Sequence, residues 1–281
     1  MIEIVKVENK DQEREFVMFP FSLYKGCDYW VPPIISEELE SMDKEKNPVF
    51  ENAEAEFYIA KKDGVTVGRI AAMVNWVEIE EQKKNKLRFG WYDTIDDLEV
   101  SKKLLESVIE FGKKRKLEFV DGPVGFSNMD KAGLLIEGYE ELNTMITWYH
   151  YPYQKEHLKK LGFSKLAEWV EYKIKIFSAE DAPEKVKKFS KIIQQRYELK
   201  VLNFKSRKEI IPYVDKMFEL LNVTYSNLQT YVTIKQYQID FYKEKFIKYI
   251  HPDFIKCCLD KDHNLIAFLI TMPSFSRALK K

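Results

Sequence analysis

Cysteine, histidine, long apolar runs and charge of one sign are all scarce in this sequence, and each shortage excludes something. The three cysteines, Cys27, Cys257 and Cys258, cannot form a disulfide framework. Two are adjacent in a run that reads as a strand, where neighbouring side chains face opposite ways. With the lysine-rich composition, this points to a reducing cytoplasm. The four histidines, His150, His157, His251 and His263, show no Cys-x-x-Cys or His-x-x-x-His spacing, so no metal site is expected. The longest apolar run, LIAFLITM at 265–272, falls far short of the roughly 20 residues that cross a bilayer, so no membrane span is expected. Forty-five basic residues balance 45 acidic ones, leaving no global field to draw in nucleic acid or an anionic membrane, so neither is expected as a partner. The opening stretch, MIEIVKVENKDQE, lacks a basic segment followed by an apolar one and reads as mature structure rather than an export signal. No Gly-x-Ser-x-Gly elbow is present, which removes that class of hydrolase.

What is present is a globular composition. Hydrophobic residues make up 45% of the 281, enough for one large or two ordinary domains, and 32% charged residues imply a heavily charged surface. IEIVKV at 2–7 alternates like a strand, and 11–24 carries apolar residues on one helical face. The Pro32–Pro33 pair argues for an irregular excursion over 27–48. AEFYIAKK and VTVGRIAAMVNW flank Asp63-Gly64, a strong hairpin signal. A charged loop, EIEEQKKNK, leads to the strand LRFGWYD and a helix from Leu98 to about Lys116 with Leu98, Leu104, Leu105, Val108 and Phe111 on one face. LEFVDGP reads as another strand, followed by a loop-rich stretch. A short helix then ends at Gly162, and one or two closing strands come after it.

Beyond SAEDAPEKV a linking helix is expected to about Tyr197, with Ser178 or Asp181 as cap and Pro183 in the first turn. The strand LKVLNF, helices over 207–221 and 234–249, and a hairpin then repeat the opening order. DFIKCCLDKDHNLIAFLITM can be laid on EFYIAKKDGVTVGRIAAMV so that Phe254 meets Phe57 and the turn at 260–264 meets Asp63-Gly64. This is a repeat of pattern rather than of sequence.

That element order resembles the GNAT acyltransferase fold: α+β, a mainly antiparallel sheet flanked by helices. YQKEHLKKLGF at 153–163 resembles the family's late helix, and VGRIAAMV at 67–74 its third strand. FPFSLYKGCDYWVPP, KNPVFENAEAEF, DGPVGFSNMDKAGLLIEGYE and PSFSRALKK resemble bacterial proteins carrying two GNAT-like units in tandem. On this reading residues 1–177 form a first unit, 178–197 a linking helix, and 198–281 a second unit incomplete at its C-terminal end. An incomplete sheet would leave a strand edge open to a second copy or a partner chain.

The resemblance implies acyl transfer from acetyl-CoA to a small-molecule amine, by the chain in a full-length form. It also implies a glycine-rich loop after the fourth strand, whose N–H groups cradle the CoA pyrophosphate. The corresponding stretch here, YDTIDDLEVS, has no glycine and carries Asp93, Asp96 and Asp97. Asp96 or Asp97 is expected to cap the following helix instead. The tyrosine that many such enzymes use as general acid is replaced by Leu158. No cofactor is therefore expected in this chain, and the first unit reads as inactive or degenerate. Candidate site residues are Asp130 as base or amine anchor, Asn128 as a polar contact, and Tyr149 and Tyr153 as alternative acids, each with a plain structural role as the alternative. A second reading is a non-catalytic ligand-binding or scaffolding domain with a stacking pocket around Trp148, Tyr149, Tyr151 and Tyr153. A third, aminoacyl transfer from tRNA on paired GNAT units, is disfavoured by the neutral charge.

Overall fold

The computed structural model describes residues 1–127, 129–175, 178–246 and 250–281. The chain divides into two compact units. The first comprises Met1–Glu168, Gln229–Val232 and Ser274–Lys281, and the second Trp169–Leu228 and Thr233–Pro273.

In the first unit, strand β1 (Ile2–Lys6) leads into helix α1 (Lys10–Leu23), which starts where the Asn9 side chain accepts a hydrogen bond from the Gln12 N–H. The expectation of an irregular 27–48 needs correction. Helix α2 (Ile35–Met42) forms there, because proline restricts itself and the residue before it but leaves the chain beyond Pro33 free. Strands β2 (Ala53–Lys62) and β3 (Val65–Asn75) form the expected hairpin, with Asp63 and Gly64 at φ of 53° and 79°, the left-handed pair a two-residue turn requires. The charged loop after β3 contains a short helix, α3 (Trp76–Glu80), started by the Asn75 side chain accepting from the Val77 N–H. Strand β4 (Lys86–Thr94), helix α4 (Leu98–Lys114), strand β5 (Phe119–Asp121) and helix α5 (Pro152–Lys160) complete the series.

The five strands lie in sequence order, antiparallel except for the parallel pair β4/β5. The period of two sorts the side chains between two cores. Ile70, Ala72 and Val74 pack with Val100, Leu104, Leu105 and Val108 of α4. Ala71 and Met73 face the other way, into Phe16 and Val17 of α1 and Met42 of α2. With both faces covered, all nine residues of β4 are buried, charged ones included. The closing strands expected after Gly162 are not formed: residues 163–175 carry no regular structure. Their alternating pattern specified two faces, but a strand also needs a neighbouring backbone edge.

The second unit holds helix α6 (Glu184–Arg196), strand β6 (Lys200–Asn203), helices α7 (Arg207–Tyr225) and α8 (Gln236–Phe246), and strands β7 (Ile255–Leu259) and β8 (Leu265–Ile270). The expected end of α8 at Tyr249 lies outside the described residues. The cap of α6 differs from expectation. Pro183 occupies the capping position, while Ser178 and Asp181 bond each other around the preceding 3-10 turn. The three strands form an antiparallel sheet in the order β6-β7-β8, over a core that includes Phe204, Ile210, Val214, Met217, Ile255 and Cys257. Strand, two helices and hairpin thus occur in the same order in both units. A last short helix, α9 (Ser276–Leu279), belongs to the first.

Candidate functional site around strand β4

Strand β4 is kinked in the middle. Against β3 its register runs Arg69↔Asp93 and then Ala71↔Gly90, so β4 carries an extra residue, and Trp91 there has φ of 48°. Such bulges re-aim side chains and occur next to functional sites. Gly90, beside the bulge, admits the neighbouring chain: a Cβ there would stand 2.6 Å from the Val124 carbonyl oxygen. The Trp91 indole donates to Glu38 Oε2 of α2 at 2.7 Å, so α2 is tied to the bulge.

The three aspartates of this stretch are all engaged, each differently. Asp93 is buried, held by Arg69 Nε on Oδ2 at 2.8 Å, with the Tyr24 hydroxyl 2.7 Å from Oδ1. Arg69 also donates to the Phe16 carbonyl, and the Tyr24 hydroxyl lies 2.9 Å from the Tyr149 carbonyl. Burial, reinforced by Asp93, pushes the Tyr24 phenol well above its ordinary range, so it stays a donor. Asp97 is the helix cap, accepting from the Glu99 N–H at 3.0 Å and pairing with Lys62 at 3.2 Å. Asp96 lies 3.1 Å from Nε2 of His157, whose Nδ1 lies 2.8 Å from Ser101 Oγ, which accepts in turn from the Tyr92 hydroxyl. Burial pushes the Tyr92 phenol up to about 12. Ser, His and Asp stand in line here, yet Ser101 is fully buried and cannot reach a substrate. The line ties α4 and α5 to the turn.

A pyrophosphate does not fit this turn. Asp97 already takes a free N–H of the helix start, the Asp96 carboxylate stands largely in solvent, and no glycine lets backbone amides approach. Each carboxylate–phosphate contact at about 4 Å would cost on the order of 1–4 kcal/mol.

The candidate residues do not converge. Tyr153 donates to the Thr94 carbonyl at 2.7 Å, and Tyr149 to the Tyr139 carbonyl at 3.1 Å. Burial raises both phenols, that of Tyr149 with a contribution from Cys27. Asp130 accepts from the Ser127 N–H at 2.9 Å. Its residue surface is exposed, but its carboxyl group is tucked under the loop: Gly125 has no room for a Cβ, which would stand 2.2 Å from that of Asp130. Burial accordingly raises the Asp130 carboxyl. Asn128 lies outside the described residues. Leu158 is part of the core under α4.

Two features differ from the sequence reading, one missed and one displaced. One is a buried ionic cluster: Arg88 makes two bonds of 2.7 Å to Glu78 and donates to the carbonyls of Gly125 and Thr230, while Lys86 bridges Asp121 at 2.7 Å and Glu78 at 3.2 Å. Its signal was charge inside a strand with no solvent face. The other is an open cleft of about 390 Å³ lined by Cys27, Asp28, Tyr29, Tyr139, Glu140, Tyr149 and Tyr151 among others. Of the expected stacking residues, Tyr149 and Tyr151 line it. Trp148 instead packs on Trp91, and Tyr153 bonds the end of β4. No group of three or more potential metal ligands occurs among the described residues, and no described helix is long and apolar enough to cross a membrane.

Five strands in sequence order, a parallel β4/β5 pair, a bulged β4 and helices on both faces define the architecture. Apart from the missing closing strands, the main elements follow the order that the sequence's resemblance to the GNAT fold implies. No family model matches the chain. Protein YghO of Escherichia coli strain K12 is 26% identical over 275 residues, 96% of this chain and 68% of that protein. The bacterial ceramide synthase of Caulobacter vibrioides is 22% identical over 174 residues, 61% of this chain and 45% of the synthase. The chain thus spans less than half of the second relative. A tandem GNAT protein from the clavulanic acid biosynthesis pathway superposes over 97% of this chain and 76% of its own, at a TM-score of 0.45 and 9% identity.

Proposed function

We propose that the chain is an N-acyltransferase-like unit, joining an acyl group from a thioester to an amine, that does not grip the phosphates of CoA at the β4–α4 turn. The acyltransferase part is supported by the sequence's resemblance to the GNAT element order and by the relative named as a ceramide synthase, since a ceramide is an amide of a long-chain amine. The observation that carries the second part is the engagement of Asp93, Asp96 and Asp97 with protein partners. An enzyme with no phosphate grip gains nothing from the nucleotide, because only contacts made with the donor lower its barrier. Free-thiol release should therefore be measured with an acyl-CoA and with the matching acyl-pantetheine, against a panel of amines. Similar kcat/KM for the two donors is expected. A tenfold preference for the CoA ester would overturn the missing grip, and no turnover with either would identify the unit as non-catalytic.

A second reading, a ligand-binding domain, is favoured by the aromatic cleft beside Cys27. Tyr151→Ala separates the two: it should abolish ligand-induced stabilisation in a thermal-shift screen if the cleft is a binding site.

A further inference from the structure

The electrical neutrality of the chain hides one strongly polarised element. Helix α6 (Glu184–Arg196) holds five basic side chains, Lys185, Lys187, Lys188, Lys191 and Arg196, against the single acid Glu184. Its apolar residues are not scattered. At 100° per residue, Val186, Phe189, Ile192 and Ile193 fall within an arc of ~120°, the stripe of a helix built to lie on something apolar. No residue of α6 is buried, and none joins the core around Phe204 and Ile255. Val186 is 58% exposed, Phe189 52%, Ile192 44% and Ile193 46%.

The polar face decides what fits. On the same wheel Lys188 stands about 40° beyond one edge of the stripe and Lys191 nearly opposite its centre, while Lys187 is paired with Glu184 at 2.9 Å. Lys185 reaches the edge of the stripe itself, its ammonium 5.9 Å from the Phe189 ring, and Arg196 lies 5.5 Å from the Tyr197 ring. Basic groups at both ends of an apolar stripe can lay their stems on it and keep their charges at its rim. A helix with an apolar stripe, an aromatic residue in the stripe and a surplus of four positive charges is complementary to an apolar layer edged with negative charge. We propose that α6 docks in the headgroup region of an anionic lipid bilayer, with Phe189 and Ile193 inserted and its lysines on the lipid charges. This surface is independent of the acyl-transfer reading and stands or falls by itself.

Sedimentation of the full chain with vesicles tests it, using phosphatidylcholine alone and phosphatidylcholine mixed with phosphatidylglycerol. Binding is expected to the mixed vesicles only, to weaken with added salt, and to fall about fivefold for each of Lys185→Gln and Lys188→Gln, following the contribution of about 1 kcal/mol per basic residue at such a surface. Phe189→Ser should weaken it further. All three positions are exposed, so circular dichroism should be unchanged. The proposal is overturned if the chain stays in the supernatant with mixed vesicles, or if the variants bind as the parent does. It is equally overturned if light scattering shows a dimer that Phe189→Ser dissolves, which would make the stripe an interface between copies.

Discussion

The hairpins β2–β3 and β7–β8 share a sequence pattern and have opposite surroundings. Setting their turns together places Ile270 opposite Ile70. Ile70 is fully buried between α4 and the sheet, whereas Ile270 is 43% exposed, as are Ile266 and Leu269 on the same strand to similar or greater extents. The difference lies in the elements that pack beside each hairpin. In the first unit β4 pairs with β3 and α4 closes over it. In the second, β8 is the edge of its sheet among the described residues. The same contrast holds for charge. The sheet around β4 buries Arg69, Lys86, Arg88, Asp93 and Asp121, while the described residues of the second unit bury no charged side chain. Alternation in a strand therefore specifies two faces, and the layers packed on those faces decide whether they are core.

The largest effect should come from breaking the charge cluster that only the first sheet has. Arg88→Met leaves Glu78 buried with Lys86 as its remaining partner, and about 3–5 kcal/mol should be lost in urea unfolding followed by tryptophan fluorescence. Four of the five tryptophans, Trp30, Trp76, Trp91 and Trp148, lie in the first unit, so the signal reports mainly on it. The matched pair comes next: Ile70→Ala should cost about 2–4 kcal/mol, Ile270→Ala about 0.5 kcal/mol or less. Equal losses would mean that β8 is covered in solution.

A third measurement uses pH. His150 is buried, its Nδ1 accepting from the Leu135 N–H, and burial pushes it down from 6.5 to about 4. The unfolded chain therefore binds the proton more readily, so this contribution is whole above pH 6.5 and lost as pH falls towards 4. The loss should be on the order of 2–3 kcal/mol, and His150→Gln should remove that part of the slope. A smaller effect than that of the buried groups is expected at the turn: Asp97→Ala should cost about 1 kcal/mol through the lost cap. A gain on mixing with CoA in that variant would show that the turn's charge, rather than its shape, keeps phosphate out.

How much of this was legible varied by element. The Asp63-Gly64 turn, the helix from Leu98 and a cap at Asp96 or Asp97, of which the structure takes Asp97, follow from local chemistry: left-handed turn residues, a periodic apolar face and a side chain that accepts a free N–H. The opposite facing of Cys257 and Cys258 was equally local, and the first is buried and the second only partly so. Helix α2 was missed because two prolines dominate the reading of a segment whose helix starts just beyond them. The closing strands were over-read because Trp169, Val170, Tyr172 and Ile174 alternate like a strand but stay exposed without a partner. Arg69 and Tyr24 gave no hint of Asp93, from which they stand 24 and 69 residues away.

By itself, then, the sequence determined the elements, their faces and the absence of a glycine cradle, since each depends on neighbours a few residues apart. Only the tertiary structure decided that Asp93 would be a buried ion-pair partner and Asp96 the end of a histidine tie. A carboxylate's role is set by which donors the fold brings within about 3 Å, and those donors come from α1, β3 and α5, far along the chain.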